Sequence, residues 1–190
     1  MTQNTSAPVR ACCAGSGVTP APEAVAPRPA PVDGRFELTD HFGRAVTERS
    51  YGERYLLVFF GFTHCAVVCP RELGKLGAAL TRLGRLAERI QPLYITVDPA
   101  RDDPQTMRAY VARYPGAFIG LTGTPAQVAA ARKAFRVFAE PVPDAQAPGG
   151  YVVPHTAIAY LMAPGGRYLT HLPDALDVDA VSERLRQQLA

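Results

Sequence analysis

Phe59-Phe60-Gly61-Phe62-Thr63-His64-Cys65-Ala66-Val67-Val68-Cys69-Pro70 is the stretch that decides the fold. Ahead of it, Tyr55 to Phe60 is a continuous apolar run, the pattern of a strand buried on both faces. The run empties into a turn at Gly61. Two cysteines follow, four residues apart, and Arg71-Glu72-Leu73-Gly74-Lys75-Leu76 then opens a helical pattern. On a first helical turn that spacing puts both sulfurs on one face, in mutual reach. Free amide N–H groups and the positive end of the helix dipole favour thiolate there. Thiolate attacks disulfides and binds soft metals. The residues themselves leave a redox dithiol and a metal site both open, with a pair of buried structural cysteines as the plainest alternative.

Outward from this junction the pattern alternates strands and helices. Phe36-Glu37-Leu38 and Ala45-Val46-Thr47 read as short strands about a turn at His41-Phe42-Gly43-Arg44. The dithiol helix is predicted from near Cys69 to Glu88, with Leu73, Leu76, Leu80, Leu83 and Leu86 on one stripe. Leu93 to Val97 is a second buried strand. Asp103-Pro104 and Thr124-Pro125 each open a helix with an N-cap residue followed by proline at N1. Phe118 to Leu121 lies between those helices as a strand, and Val137 to Ala139 reads as a small one. Residues 140–151 form a Pro/Gly-rich loop. Thr156 to Met162 pairs with Arg167 to His171 across Pro164-Gly165-Gly166, and Asp177 to Leu189 closes the chain as an amphipathic helix. The order predicts an α/β protein: a thioredoxin-like fold with an N-terminal β-hairpin and an inserted loop before the penultimate strand.

Composition narrows the function classes. The chain has 190 residues, enough for one domain with a real core. Its 20 Lys and Arg against 17 Asp and Glu are scattered, which argues against nucleic acid or lipid headgroups as partners. Four cysteines are too few for a disulfide scaffold at this length. No stretch reaches the roughly 18 apolar residues of a membrane span, and Met1 to Arg10 has no apolar h-region of a signal peptide. Residues 1–34 are rich in Ala, Pro and Gly and read as a disordered tether, with the folded domain over 35–190.

His155, in Val152-Val153-Pro154-His155-Thr156, stands just before the penultimate strand. In a thioredoxin-like fold that loop lies across from the dithiol helix terminus, where two thiolates and an imidazole could converge. Thiolates suit Cu(I) and imidazole makes Cu(II) acceptable. Zinc with a water as fourth ligand fits the same atoms, although the cysteine spacing is wider than in closed zinc sites.

Gly61-Phe62-Thr63-His64-Cys65, then Cys69-Pro70 and Glu72-Leu73, resembles the signature of the Sco/SenC proteins, thioredoxin-fold copper proteins of cytochrome c oxidase assembly. Asp98-Pro99-Ala100-Arg101-Asp102, Pro154-His155-Thr156 and Ala163 to Tyr168 are similar to three further family segments, so the likeness spans about residues 35–190. It implies Cys65, Cys69 and His155 as copper ligands and a Cys65–Cys69 pair able to form a disulfide. It implies a copper chaperone rather than an enzyme, monomeric, served by a thiol reductant. The implied recipient is a cytochrome c oxidase subunit or another copper-accepting protein, on the periplasmic side of an inner membrane. A chain without leader or anchor would instead stay in the cytoplasm. Ala66 stands where the family usually has proline, and Ala66-Val67-Val68 lacks its common acidic residue. A thiol–disulfide oxidoreductase and a redox or copper sensor remain the rival readings, and only the metal reading needs His155. His64 adjoins Cys65 but should point away; Asp98 reads equally as a turn cap or a support for the site; His41 and His171 read as surface residues. Cys12-Cys13 reads as incidental, with copper transfer second.

Overall fold

β3 (Tyr55–Gly61) lies at the heart of the sheet. Leu56, Val58 and Phe60 face one core while Leu57 and Phe59 face another, all without accessible surface. Side chains of a strand alternate between faces, so a strand covered on both sides has no polar positions. The computed structural model that defines these elements describes residues 32–189. Cys12-Cys13 and nearly all of the proline-rich segment lie outside them.

β3 pairs in parallel with β4 (Ile90–Thr96), and β4 in parallel with β5 (Ile119–Thr122). Parallel neighbours require crossovers, here made by α1 (Val68–Leu83) and α2 (Pro104–Val111). On the other edge of β3, β8 (Ile158–Met162) runs antiparallel and turns through Pro164–Gly166 into β9 (Tyr168–Pro173). The hairpin of β1 (Glu37–Asp40) and β2 (Ala45–Thr47) joins β5 through β1. The strand order is β2-β1-β5-β4-β3-β8-β9. α1, α2 and α4 (Val178–Leu189) pack on one face through Leu73, Leu76, Leu80, Met107, Tyr110 and Leu185. α3 (Pro125–Phe135) covers the other through Val128, Ala131 and Phe135. This is the α/β architecture expected from the sequence. Asp103 and Thr124 cap their helices as predicted, accepting from the N–H groups of Thr106 and Gln127.

The departures have local causes. α1 stops at Leu83 rather than Glu88, because Gly84 takes φ 58° and the chain tightens into 3-10 turns over Gly84–Arg89. Leu86 therefore leaves the core stripe and is only partly buried. Val137 to Ala139 makes no strand, only an isolated bridge from Ala139 to His155. Conversely, the Pro/Gly-rich loop contains a small antiparallel pair, β6 (Val142–Pro143) with β7 (Tyr151–Val152). His41 is buried rather than at the surface: its Nδ1 accepts from the Gly120 N–H, and its own N–H donates to the Gly120 carbonyl. His171 is exposed, as expected.

Candidate metal centre

The dithiol loop begins where β3 ends. Val97 N–H donates to the Gly61 carbonyl, and Cys65 N–H to that of Phe62, closing a turn. Asp102 pins the loop from below. Its carboxylate, without accessible surface, accepts from the Thr63 N–H and from the hydroxyls of Thr63 and Thr96, both at 2.6 Å. Burial pushes its carboxyl above the usual range, against those hydrogen bonds.

α1 starts without a side-chain cap, since its N-cap residue is Val67. The Cys65 sulfur takes that place and accepts from the Cys69 N–H at 3.4 Å. Its pKa is lowered to about 5, first by the Cys69 thiol donating to it, then by the amides of Cys69, Val67 and Val68, with burial opposing. Cys69 moves the other way: donating to Cys65 and being buried both push its thiol up. Cys65 is half-buried and Cys69 has no accessible surface. Neither is in a disulfide.

His155 reaches the pair from just ahead of β8. Its Nδ1 lies 2.8 Å from the Val153 carbonyl, an acceptor that fixes the ring proton on that nitrogen. Nε2 is left with a lone pair, 3.7 Å from Cys69 Sγ. The Phe62 ring stands edge-on to the imidazole, centroids 5.7 Å apart. Beside these groups runs a largely apolar groove of about 570 Å³, bordered by Phe62, Cys65, Val67, Val68, Val152 and His155. Val67 is 67% exposed, so the apolar Ala66-Val67-Val68 run lies open at its rim.

A family model described as SCO1/SenC matches residues 24–190. The chain belongs to the SCO1/SenC family. Among its relatives, the mitochondrial SCO2 homolog of Danio rerio is 36% identical over 158 residues, which are 82% of this chain and 56% of that protein. The chain thus spans little more than half the length of that relative. The structure of Arabidopsis thaliana ScoI with copper bound superposes with a TM-score of 0.77 at 31% identity, covering 83% of this chain and 99% of that one. Bradyrhizobium japonicum ScoI with copper bound gives 0.74 at 36%, covering 83% and 99%.

In this member of the family the three residues singled out by sequence come to one end of the sheet, with Cys69 between Cys65 and His155. Their donor atoms do not surround a common point: among the described residues no three His, Cys, Asp or Glu side chains form a closed metal site. His64 is exposed and turns toward the Thr63 hydroxyl and Asp102, 3.2 and 4.0 Å from its Nδ1. Asp98 does more than cap a turn. It accepts from Arg101 Nε at 2.5 Å and from the Tyr151 hydroxyl at 2.9 Å. Arg101 also stacks 3.7 Å over the Tyr151 ring and donates to the carbonyls of Pro148 and Tyr151. The inserted hairpin is thereby clamped to the acidic run. Sequence alone does not single out Arg101 and Tyr151 as supports of the site. The Asp-Pro-x-Arg-Asp run was the available signal for Arg101. Among the described residues no helix is long and apolar enough to cross a membrane.

Proposed function

We propose that this domain carries one copper ion on Cys65, Cys69 and His155 and passes it to a copper-accepting protein, the copper centre of cytochrome c oxidase being the acceptor the family implies. The observation that carries the reading is the 3.7 Å between Cys69 Sγ and Nε2 of His155, a ring whose Nδ1 is turned to the Val153 carbonyl. Bonds of roughly 2.3 Å to sulfur and 2.0 Å to imidazole, as zinc makes them, span that distance at an angle of about 120°. A dithiol needs no imidazole to exchange disulfides, so His155 weighs against a purely redox role. The two copper-bound structures named above support the choice of metal.

Each residue has a distinct part. Cys65, held as thiolate at the half-exposed edge, is the first sulfur an incoming ion meets. Cys69 gives up its proton and becomes the buried anchor. His155 makes Cu(II) acceptable beside two ligands that prefer Cu(I). Copper requires the reduced dithiol, so a thiol reductant keeps the protein competent; the carrier works as a monomer, on the periplasmic side of an inner membrane. The rival oxidoreductase would use Cys65 to attack and Cys69 to resolve.

Copper titration of the reduced wild type beside His155→Ala tests the proposal. The wild type should bind one copper per chain, with a thiolate-to-copper charge-transfer band for Cu(II). The variant should lose Cu(II) affinity far more than Cu(I) affinity. Equal Cu(II) affinity in the two proteins would overturn the ligand set and favour the redox reading.

A further inference from the structure

Tyr94, in the middle of β4, has no accessible surface. Its ring lies nearly parallel to those of Phe59 and Tyr110, with centroids 6.2 and 5.5 Å away. Its hydroxyl is buried and makes no hydrogen bond of regular geometry among the described residues, yet it lies close enough to the Cys69 sulfur and the Tyr110 hydroxyl to act on both. Leaving a buried hydroxyl unpaired is unfavourable, and phenylalanine would fill the same space without that penalty. The position of the hydroxyl supplies a reason for it. A methyl group on Gly61 would come within 2.5 Å of Tyr94 Oη and 2.6 Å of Cys69 Sγ, so oxygen and sulfur flank one small gap that only glycine leaves open.

Copper-bound Cys69 is a thiolate, with lone pairs that accept hydrogen bonds. A phenol keeps its proton at neutral pH and is a ready donor. We propose that Tyr94 is a positioning residue whose hydroxyl donates to the Cys69 sulfur in the copper-loaded protein, drawing electron density from the ligand and favouring Cu(I) over Cu(II). The inference rests on the copper-carrying reading above. Its physical basis is general: hydrogen bonds to a ligand sulfur tune the potential of the metal it holds, and groups behind the ligands fix their orientation.

Tyr94→Phe keeps the ring and its stacking and removes only the donor. Wild type and variant would be loaded with Cu(II) and with Cu(I), recording the charge-transfer band and the one-electron reduction potential. In the variant the band should move to longer wavelength, because the sulfur electrons are less stabilised. The ratio of Cu(II) to Cu(I) affinity should rise about tenfold, a potential lower by about 59 mV. Placing 3-fluorotyrosine at position 94 strengthens the donor without changing its shape and should shift both readouts the opposite way, a test that stands even if Tyr94→Phe fails to fold. A wild-type band and potential left unchanged by both replacements would overturn the role of Tyr94. A wild type with no thiolate-to-copper band would instead sink the copper-carrying reading beneath it.

Discussion

Copper loading at neutral pH should release one proton from the dithiol rather than two. Cys65 enters as thiolate, its pKa lowered to about 5, while Cys69 is pushed above the ordinary thiol range and carries the shared proton. Both sulfurs must be deprotonated to bind metal. Displacing one proton makes apparent affinity rise about tenfold per pH unit, or about 1.4 kcal/mol. Two ordinary thiols, ionising near pH 8.5, would together give roughly a sixty-fold rise between pH 7 and 8. The two cases therefore differ about sixfold across a single unit, well within reach of competition against a chelator of known affinity. Calorimetric Cu(I) titration in two buffers of different ionisation heat counts the protons directly. A count of two would show that Cys65 enters as thiol, and the account of its helix-capping thiolate would fail.

The same asymmetry predicts a pH-dependent fold stability. A thiol whose folded pKa lies below its unfolded value contributes stability present above about pH 9 and lost as pH falls through about 5. Denaturant melts of the reduced, metal-free protein should show this rise between those limits relative to Cys65→Ser; parallel curves would refute it. Gly61→Ala drives a methyl against Tyr94 and the buried Cys69 sulfur, and should cost about 1–3 kcal/mol in urea unfolding; an unchanged midpoint would mean the gap can open freely. Arg101→Ala removes one partner of a buried ion pair and the stack on Tyr151, and should destabilise the domain by about 3 kcal/mol. It should also hasten proteolysis within residues 140–150, so cleavage at the wild-type rate would show that other contacts hold the hairpin.

The order of strands and helices was legible because each element carries its own local signal: the unbroken apolar run of β3, the Asp103-Pro104 and Thr124-Pro125 starts, the turn at Pro164–Gly166. The dithiol and His155 were legible because their flanking residues fix their place at strand ends. What sequence did not give depends on distant partners. Pro143 and Gly149-Gly150 read as loop, yet the Arg101–Tyr151 stack, fifty positions apart in sequence, holds that segment in a hairpin. His41 looked like a turn residue, and only the β1–β5 pairing shows that Gly120 buries it. Tyr94 was one more apolar member of β4 until the fold set its hydroxyl beside Cys69. Gly84, by contrast, is a local signal, a helix stop hidden inside a leucine stripe.

The unequal burial of the two sulfurs gives the proposed handover a direction. Cys65 and His155 border the groove, whereas Cys69 lies behind them without accessible surface. With the proposed ligands, a recipient's donor atom coming from the groove would meet Cys65 and His155 before Cys69. Soft ions exchange thiolates by adding the new bond before losing the old, so the outer contacts yield while the inner one still grips. Cys69 becomes the last knot to be untied. In that order the ion is never free of both proteins while it changes hands.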